Sequence, residues 1–271
     1  MKVAFQGEPG AYSEQAVFGY FGAVETEPCE TFDGVFEAVA SGGLAFGLIP
    51  IENSLAGSIH QNYDLLLRHN LHIVGEHFLR VKHCLIAFPG VEKAEIRKVI
   101  SHPQALGQCA GYLRGLGVKT EPVYDTAGSV KILKASGERT LAAIASKRAA
   151  EIYEMAIVEA GIEDNQENYT RFLAIAPEPV IPQAEAKTSI VFTLKNQPGA
   201  LFKAMSVFAL RDIDLTKIES RPLAGTPWNY LFYIDFVGAI QDEMIQRALS
   251  HLGEYALMLR VLGSYPRAKV V

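Results

Sequence analysis

The 271-residue sequence predicts an α/β protein assembled in two different styles. Three observations carry that expectation. From the N-terminus to about Pro177, short apolar strands alternate with helical stretches, the pattern of mostly parallel sheets. Pro177, Pro179 and Pro182 then punctuate a polar stretch that ends near Ala186. Beyond it, the chain reads strand, helix, strand, strand, helix, strand.

In order, Lys2–Gln6 reads as a buried strand, and Ser13–Phe21 as a helix capped by Ser13. Asp33–Ala40 carries Val35, Phe36 and Val39 as one apolar stripe and reads as a second helix. Ala45–Ile51 is strand-like, and Ser58–Arg68 helical after Gly57. His72–Phe88 is long and strand-like without a helical period, so it suits a chain crossing from one lobe to another. Lys98–Ser101, Val118–Val123 and Leu141–Ala145 read as strands, followed by helices near Pro103, Thr126 and Ser146. Tyr169–Ala176 is again a strand. Two lobes with a crossing chain place a ligand cleft at their junction.

After the prolines, the expected elements are strand Thr188–Leu194, helix Ala200–Arg211, strands Asp214–Arg221 and Trp228–Val237, helix Asp242–Leu252 and strand Leu257–Ser264. This βαββαβ order is the ferredoxin-like arrangement, with 222–227 supplying the central turn. The expected division is therefore 1–177 in two lobes, crossing near 72–88 and 166–176, a linker at 178–187, and a second domain at 188–271.

Composition excludes several classes of function. Lys and Arg total 25 against 30 Asp and Glu, a net charge of -5, which disfavours phosphate-backbone binding, so no nucleic-acid partner is expected. Cys29, Cys84 and Cys109 are odd in number and widely spaced, indicating buried reduced thiols. The longest uncharged run, Ala38 to Ile51, is broken by Gly42, Gly43, Gly47 and Pro50, well short of a membrane helix. No membrane association and a cytoplasmic location are expected. Nucleotide-loop, dinucleotide, serine-hydrolase and zinc-protease motifs are all absent, and the histidines lack ligand spacing, so neither metal nor cofactor is expected.

What remains is short polar residues at strand ends. Gly7-Glu-Pro-Gly10-Ala-Tyr12-Ser13 opens a helix, where glycines admit a ligand and free N–H groups suit an anion; the plain alternative is a tight turn. Glu52-Asn53-Ser54 either cradles a carboxylate or makes a polar turn. Gln104 and Gln108 share a helical face after Ser101 and Pro103, a neutral donor surface for oxygens or an exposed helix face. Asp125 reads as a helix cap. Thr170 and Phe172 share one strand face and Arg171 the other.

Taken together, the segments GEPGAYSE, IENSLAGSI, SHPQALGQC, YDTAGS and TRF resemble the prephenate dehydratase family. Gly199-Ala200-Leu201 and Glu219-Ser220-Arg221-Pro222 resemble the phenylalanine-binding segments of an ACT domain. The resemblance covers essentially the whole chain. It implies a two-lobed, periplasmic-binding-protein-like catalytic domain and a ferredoxin-like ACT domain. The implied reaction converts prephenate to phenylpyruvate with loss of carbon dioxide and water, driven by aromatisation and needing no cofactor.

By the same resemblance, Thr170 assists the leaving hydroxyl, while Asn53, Ser54, Ser101, Gln108, Asp125, Arg171 and Phe172 hold or wall the substrate. L-phenylalanine is the implied allosteric effector, bound by Asn196, Gly199, Ala200, Leu201, Glu219, Ser220, Arg221 and Pro222. ACT domains of this kind pair side by side, so a homodimer or homotetramer is expected. With no fused mutase helix before Met1, a monofunctional enzyme is expected. Two rivals stand: arogenate dehydratase, whose substrate carries an ammonium where prephenate has a keto group, and a non-catalytic amino-acid sensor.

Overall fold

A computed structural model describes residues 1–183, 185–223, 225–226 and 228–269. The chain divides into two compact units, Met1–Leu67 with His77–Phe172, and Arg68–Glu76 with Leu173–Val271.

The elements of the first region are β1 (Lys2–Gln6), α1 (Tyr12–Phe21), β2 (Glu25–Cys29), α2 (Phe32–Ala40), β3 (Phe46–Asn53), β4 (Gly57–Ser58), α3 (His60–Arg68) and β5 (His72–Arg80). Then come β6 (Cys84–Ala87), β7 (Lys98–Ser101), α4 (Pro103–Gln108), α5 (Ala110–Leu116), β8 (Lys119–Pro122), α6 (Thr126–Ser136), β9 (Leu141–Ala145), α7 (Lys147–Tyr153), β10 (Ala156–Ala160) and β11 (Tyr169–Ala176).

They form two sheets. One has the order β2-β1-β3-β11-β5 with β4 hairpinned onto β3; the other runs β10-β6-β9-β7-β8. Continuous apolar runs make the inner strands: Leu141–Ala145 is buried at every position, whereas Lys119–Pro122 is exposed throughout and forms an edge. The sheets are mixed rather than mostly parallel. β1 runs parallel to β2 and β3, and β7 to β8 and β9, but β6 is antiparallel to both β9 and β10.

The long segment His72–Phe88 resolves into two strands. β5 ends at Arg80 in one sheet and β6 starts at Cys84 in the other, so Val81, Lys82 and His83 carry the chain across. The return segment lies beside this crossing: Val81 N–H donates to the Asn168 carbonyl at 2.8 Å, and Gly161 N–H to the His83 carbonyl at 2.8 Å.

Three helix starts follow from their caps. Thr31 accepts from Gly34 N–H at 3.1 Å, Asp125 from Gly128 N–H at 2.7 Å, and Ser146 from Ala149 N–H at 3.0 Å. Helix α1 differs from the sequence expectation. Its cap position is Ala11, which offers no side-chain acceptor, and Ser13 lies inside the first turn. The cause is Gly10, whose φ of +92° turns the chain sharply, and whose carbonyl accepts from the Ser146 hydroxyl at 2.6 Å.

The second unit contains β12 (Ala186–Leu194), α8 (Ala200–Ala209), β13 (Leu215–Pro222), β14 (Tyr230–Val237), α9 (Glu243–Tyr255) and β15 (Ala256–Pro266). Its sheet has the order β13-β14-β12-β15, antiparallel throughout, the ferredoxin-like order expected from the element sequence. Ile190, Phe192, Ile234 and Phe236 from the sheet meet Phe208 and Leu252 from the helices in one dry core. Ala224 and Pro227 of the expected central turn lie outside the described residues. Among the described residues, no helix is long and apolar enough to cross a membrane.

Candidate active site

A cavity of about 420 Å³ lies in the first unit, walled by residues of β1, β3 and β11 on one side and by α4, the start of α6 and the crossing residue His83 on the other. Asn53 ends β3, and its buried side chain has a fixed orientation. Leu55 and Ala56 N–H donate to Oδ1 at 3.1 and 2.9 Å, so Nδ2 must be the donor on the other side. That amide reaches Asn168 Oδ1 at 2.8 Å, the Tyr169 carbonyl at 3.1 Å and Thr170 Oγ1 at 3.0 Å. Because Thr170 Oγ1 accepts there, its own proton is left for a group in the cavity.

Strand alternation in β11 puts Thr170 and Phe172 on the cavity wall. Arg171, between them, is buried and not part of the lining. Ser54 and Ser101 also lie outside the lining. The exposed Ser54 hydroxyl donates to the Glu167 carbonyl at 2.8 Å and accepts from Tyr169 N–H at 3.0 Å, tying the β3 end to the approach to β11. Ser101 is fully buried, and its hydroxyl donates to the Ile144 carbonyl at 2.6 Å. Both serines therefore position the wall rather than line it.

Gln108 and Gln104 do line the cavity, as the shared helical face requires. Gln108 Oε1 lies 2.8 Å from His83 Nε2, and His83 Nδ1 lies 2.8 Å from Tyr12 Oη. The tyrosine hydroxyl also reaches the Lys82 carbonyl at 3.1 Å. Burial pushes the His83 pKa below its ordinary value, outweighing the bond to Gln108 and the charge of Glu163, and it pushes Tyr12 well above the usual phenol range. Sequence reasoning gave His83 the ordinary role of a surface or satisfied core histidine. The available signal was its place at the break in the long strand-like segment.

Asp125 lines the cavity while capping α6. Burial raises its pKa, against the pull of the Gly128 and Ala127 N–H groups. Ala11, Tyr12 and Ser13 bring the uncapped first turn of α1 to the same cavity. Among the described lining residues there is no Lys or Arg; the polar groups are amides, hydroxyls, two histidines and one carboxyl.

In the second unit, Gly199 is the N-cap of α8 in a left-handed conformation, φ +78°, with Ala200 and Leu201 in the first turn. Asn196 does not cap that helix; its amide donates to the Trp228 carbonyl at 3.2 Å. On β13, Glu219 and Arg221 are half-buried while Ser220 and Pro222 are exposed, the alternation expected of a strand.

The prephenate dehydratase family model matches residues 3–180. The chain belongs to the prephenate dehydratase family. It is 53% identical over 277 residues to an arogenate dehydratase/prephenate dehydratase of Arabidopsis thaliana, covering 98% of this chain and 73% of the relative. Among solved structures, a prephenate dehydratase from Arthrobacter aurescens in complex with L-Phe superposes with TM-score 0.91 at 30% identity, covering 98% of this chain and 90% of that one. A protein described as a novel type of quorum quenching acylase, GqqA, superposes with TM-score 0.93 at 35% identity, covering 99% and 98%. Within the family, the cavity and its Asn53–Thr170 pair are the candidate catalytic centre of a lyase.

Proposed function

We propose that this cavity carries out the decarboxylating dehydration of prephenate to phenylpyruvate, with Thr170 as the catalytic residue. The observation that carries the reading is the Asn53 amide bonded to Thr170 Oγ1 at 3.0 Å on the wall of a cavity with no lysine or arginine among its described lining residues. Donation into Oγ1 polarises the hydroxyl, so its proton forms a stronger hydrogen bond to the departing ring hydroxyl. The C1–carboxylate electron pair moves into the ring, carbon dioxide leaves, and the C4–oxygen bond breaks. The departing oxygen takes up a proton passed through the Thr170 hydroxyl, which regains one from solvent, and leaves as water.

Neutral donors suit this chemistry. A strong cation on the carboxylate that departs would stabilise the ground state and oppose its loss. The uncapped turn of α1, with the Ser13 hydroxyl, is a fitting seat for the carboxylate that stays. Phe172 walls the ring, Gln108 meets the substrate on the second sheet's side, and Asp125 anchors α6. Asn53, Ser54 and Ser101 act by holding the wall, and Arg171 by packing behind it.

The second unit is an ACT-type domain in this reading and takes L-phenylalanine as feedback effector, its carboxylate at the Gly199–Leu201 turn and its remaining contacts from Asn196 and the segment Glu219, Ser220, Arg221 and Pro222. The boundaries are a catalytic domain at 1–177, a linker at 178–187 and the regulatory domain at 188–271. Leu201, Phe202, Ile218 and Trp228 are exposed apolar side chains beside that region, and β13 is an edge strand, which supports a homodimer or homotetramer formed there. A cytoplasmic location suits three free thiols.

The likeness to a solved acylase favours a second reading, amide hydrolysis. The Thr170 hydroxyl is bonded to an amide donor rather than to a base, so the lyase reading leads. Turnover assays with prephenate, arogenate and an acyl-amide, each with and without phenylalanine, test both readings. Phenylpyruvate formation from prephenate, slowed by phenylalanine, is expected; acyl-amide cleavage without lyase activity would sink the proposal.

A further inference from the structure

Gln108 can turn either polar end of its amide toward the cavity, and the residues behind it decide which. His83 is 2% exposed and stands between two partners, Tyr12 Oη on Nδ1 and Gln108 on Nε2, each at 2.8 Å. Two complete networks fit these distances. In one, the Tyr12 hydroxyl donates to Nδ1, Nε2–H donates to Gln108 Oε1, and the Gln108 NH₂ faces the cavity. In the other, Tyr12 donates to the Lys82 carbonyl at 3.1 Å and accepts from Nδ1–H, while Nε2 accepts from the Gln108 NH₂, leaving Oε1 outward. The first face binds a keto oxygen; the second binds an ammonium.

We propose that Tyr12, His83 and Gln108 form a tautomer relay through which the cavity accepts either a keto-acid or an amino-acid form of the same substrate. The inference rests on the reading above and deepens it. With the ring hydroxyl at Thr170 on β11, the side chain at which prephenate and arogenate differ is para to it, directed away from that strand and toward the lobe that carries Gln108. Burial pushes the His83 pKa below its ordinary value and so favours the neutral ring, and the relay shifts a proton between ring nitrogens rather than gaining one. His83 and Tyr12 are positioning residues here; Gln108 makes the contact.

The two networks do not depend equally on Tyr12. Without its hydroxyl, the ammonium-reading network leaves Nδ1–H as a buried donor with no acceptor, a costlier defect than the bare lone pair left in the keto-reading network. Tyr12→Phe should therefore lower kcat/KM for arogenate about tenfold more than for prephenate. Gln108→Met removes both faces, so adding Tyr12→Phe to it should leave the substrate ratio unchanged. Equal losses for both substrates in Tyr12→Phe, or the same ratio shift with and without Gln108→Met, overturn the relay. Unchanged far-ultraviolet circular dichroism of each variant shows that folding is intact.

A second measurement does not need turnover. In ¹⁵N-histidine-labelled protein, with the His83 signals assigned by their loss in His83→Gln, both neutral tautomers are expected, and phenylpyruvate should shift them toward Nε2–H. A single tautomer that phenylpyruvate leaves unmoved overturns the proposal. If the wild-type protein turns over neither substrate, the lyase reading fails, and the nitrogen spectrum alone judges the relay.

Discussion

The Asn53 amide nitrogen lies 3.0 Å from Thr170 Oγ1, and two backbone N–H groups on the far side of Asn53 fix which atom is the donor. The pair joins the end of β3 to the start of β11, residues 117 apart in the chain. A hydroxyl that already accepts one hydrogen bond has a defined direction for its proton. Replacing Thr170 by Val should reduce kcat by about 10²–10⁴, the usual yield of a positioned proton-donating group, with KM changed only a few-fold. Thr170→Ser should recover part of the loss. Steady-state kinetics on prephenate decides it, and equal losses in the Val and Ser variants would exclude the hydroxyl as the acting group.

Gly10 combines φ +92° with close packing: a Cβ there would sit 2.7 Å from Ala149 Cα. Neither the backbone angle nor the contact tolerates a methyl group. Gly10→Ala should cost about 3 kcal/mol or more in chemical denaturation and weaken substrate binding by displacing the start of α1.

Asp125 is held above its ordinary pKa of 3.8, chiefly by burial. The folded protein therefore binds this proton more tightly than the unfolded chain does. The resulting stabilisation is complete below pH 3.8 and is lost as pH rises through the folded value. Burial penalises the ionised carboxyl, while Asn in its place still caps α6. Asp125→Asn should raise Tm by about 2 °C at pH 7, with the gain shrinking toward pH 4.

Within the second unit, Lys187 on β12 and Glu76 on β5 form a buried ion pair, Nζ to Oε1 2.8 Å, with side chains 6% and 0% exposed. Removing one partner strands a charge away from water. Lys187→Met or Glu76→Leu should each cost about 3–5 kcal/mol, whereas the two together should cost far less. Urea titrations of the four proteins give the cycle directly.

Gly199 is exposed, with open space around its missing Cβ, so a substituent there meets strain rather than collision. Gly199→Val should abolish phenylalanine inhibition by distorting the first turn of α8 and crowding the proposed carboxylate seat. Basal turnover should stay near wild type. Retained inhibition places the effector elsewhere.

Much of the fold was legible because periodicity survives in the sequence. β7 and β9 coincide with their expected ranges, Lys98–Ser101 and Leu141–Ala145, since both are short apolar runs bounded by polar turns. The βαββαβ order of the second unit is likewise plain in its alternation. β2 and β10 escaped for the opposite reason: Glu25–Cys29 is charged and contains Pro28, Ala156–Ala160 is half-exposed, and both are sheet edges with no apolar face to announce them.

The candidate site was legible in part. Asn53, Gln108, Asp125, Thr170 and Phe172 all reach the cavity, and alternation alone separates Phe172 from Arg171. A serine at a strand end carries no such signal. Whether its hydroxyl faces a ligand or a carbonyl depends on a strand remote in sequence: Ile144 for Ser101, and the residues before Tyr169 for Ser54. His83 was hidden because its partners come from two distant helices, α1 and α4.

Helix α1 starts at Tyr12, and its cap residue, Ala11, has no side chain to accept from the opening turn. Under the proposed reaction, the amides of Tyr12 and Ser13 are completed by the carboxylate that survives chemistry, and that group is the same on substrate and product. Catalysis then gives the enzyme no leverage for letting go at this end of the molecule. The keto acid should therefore compete with its precursor for this end of the cavity.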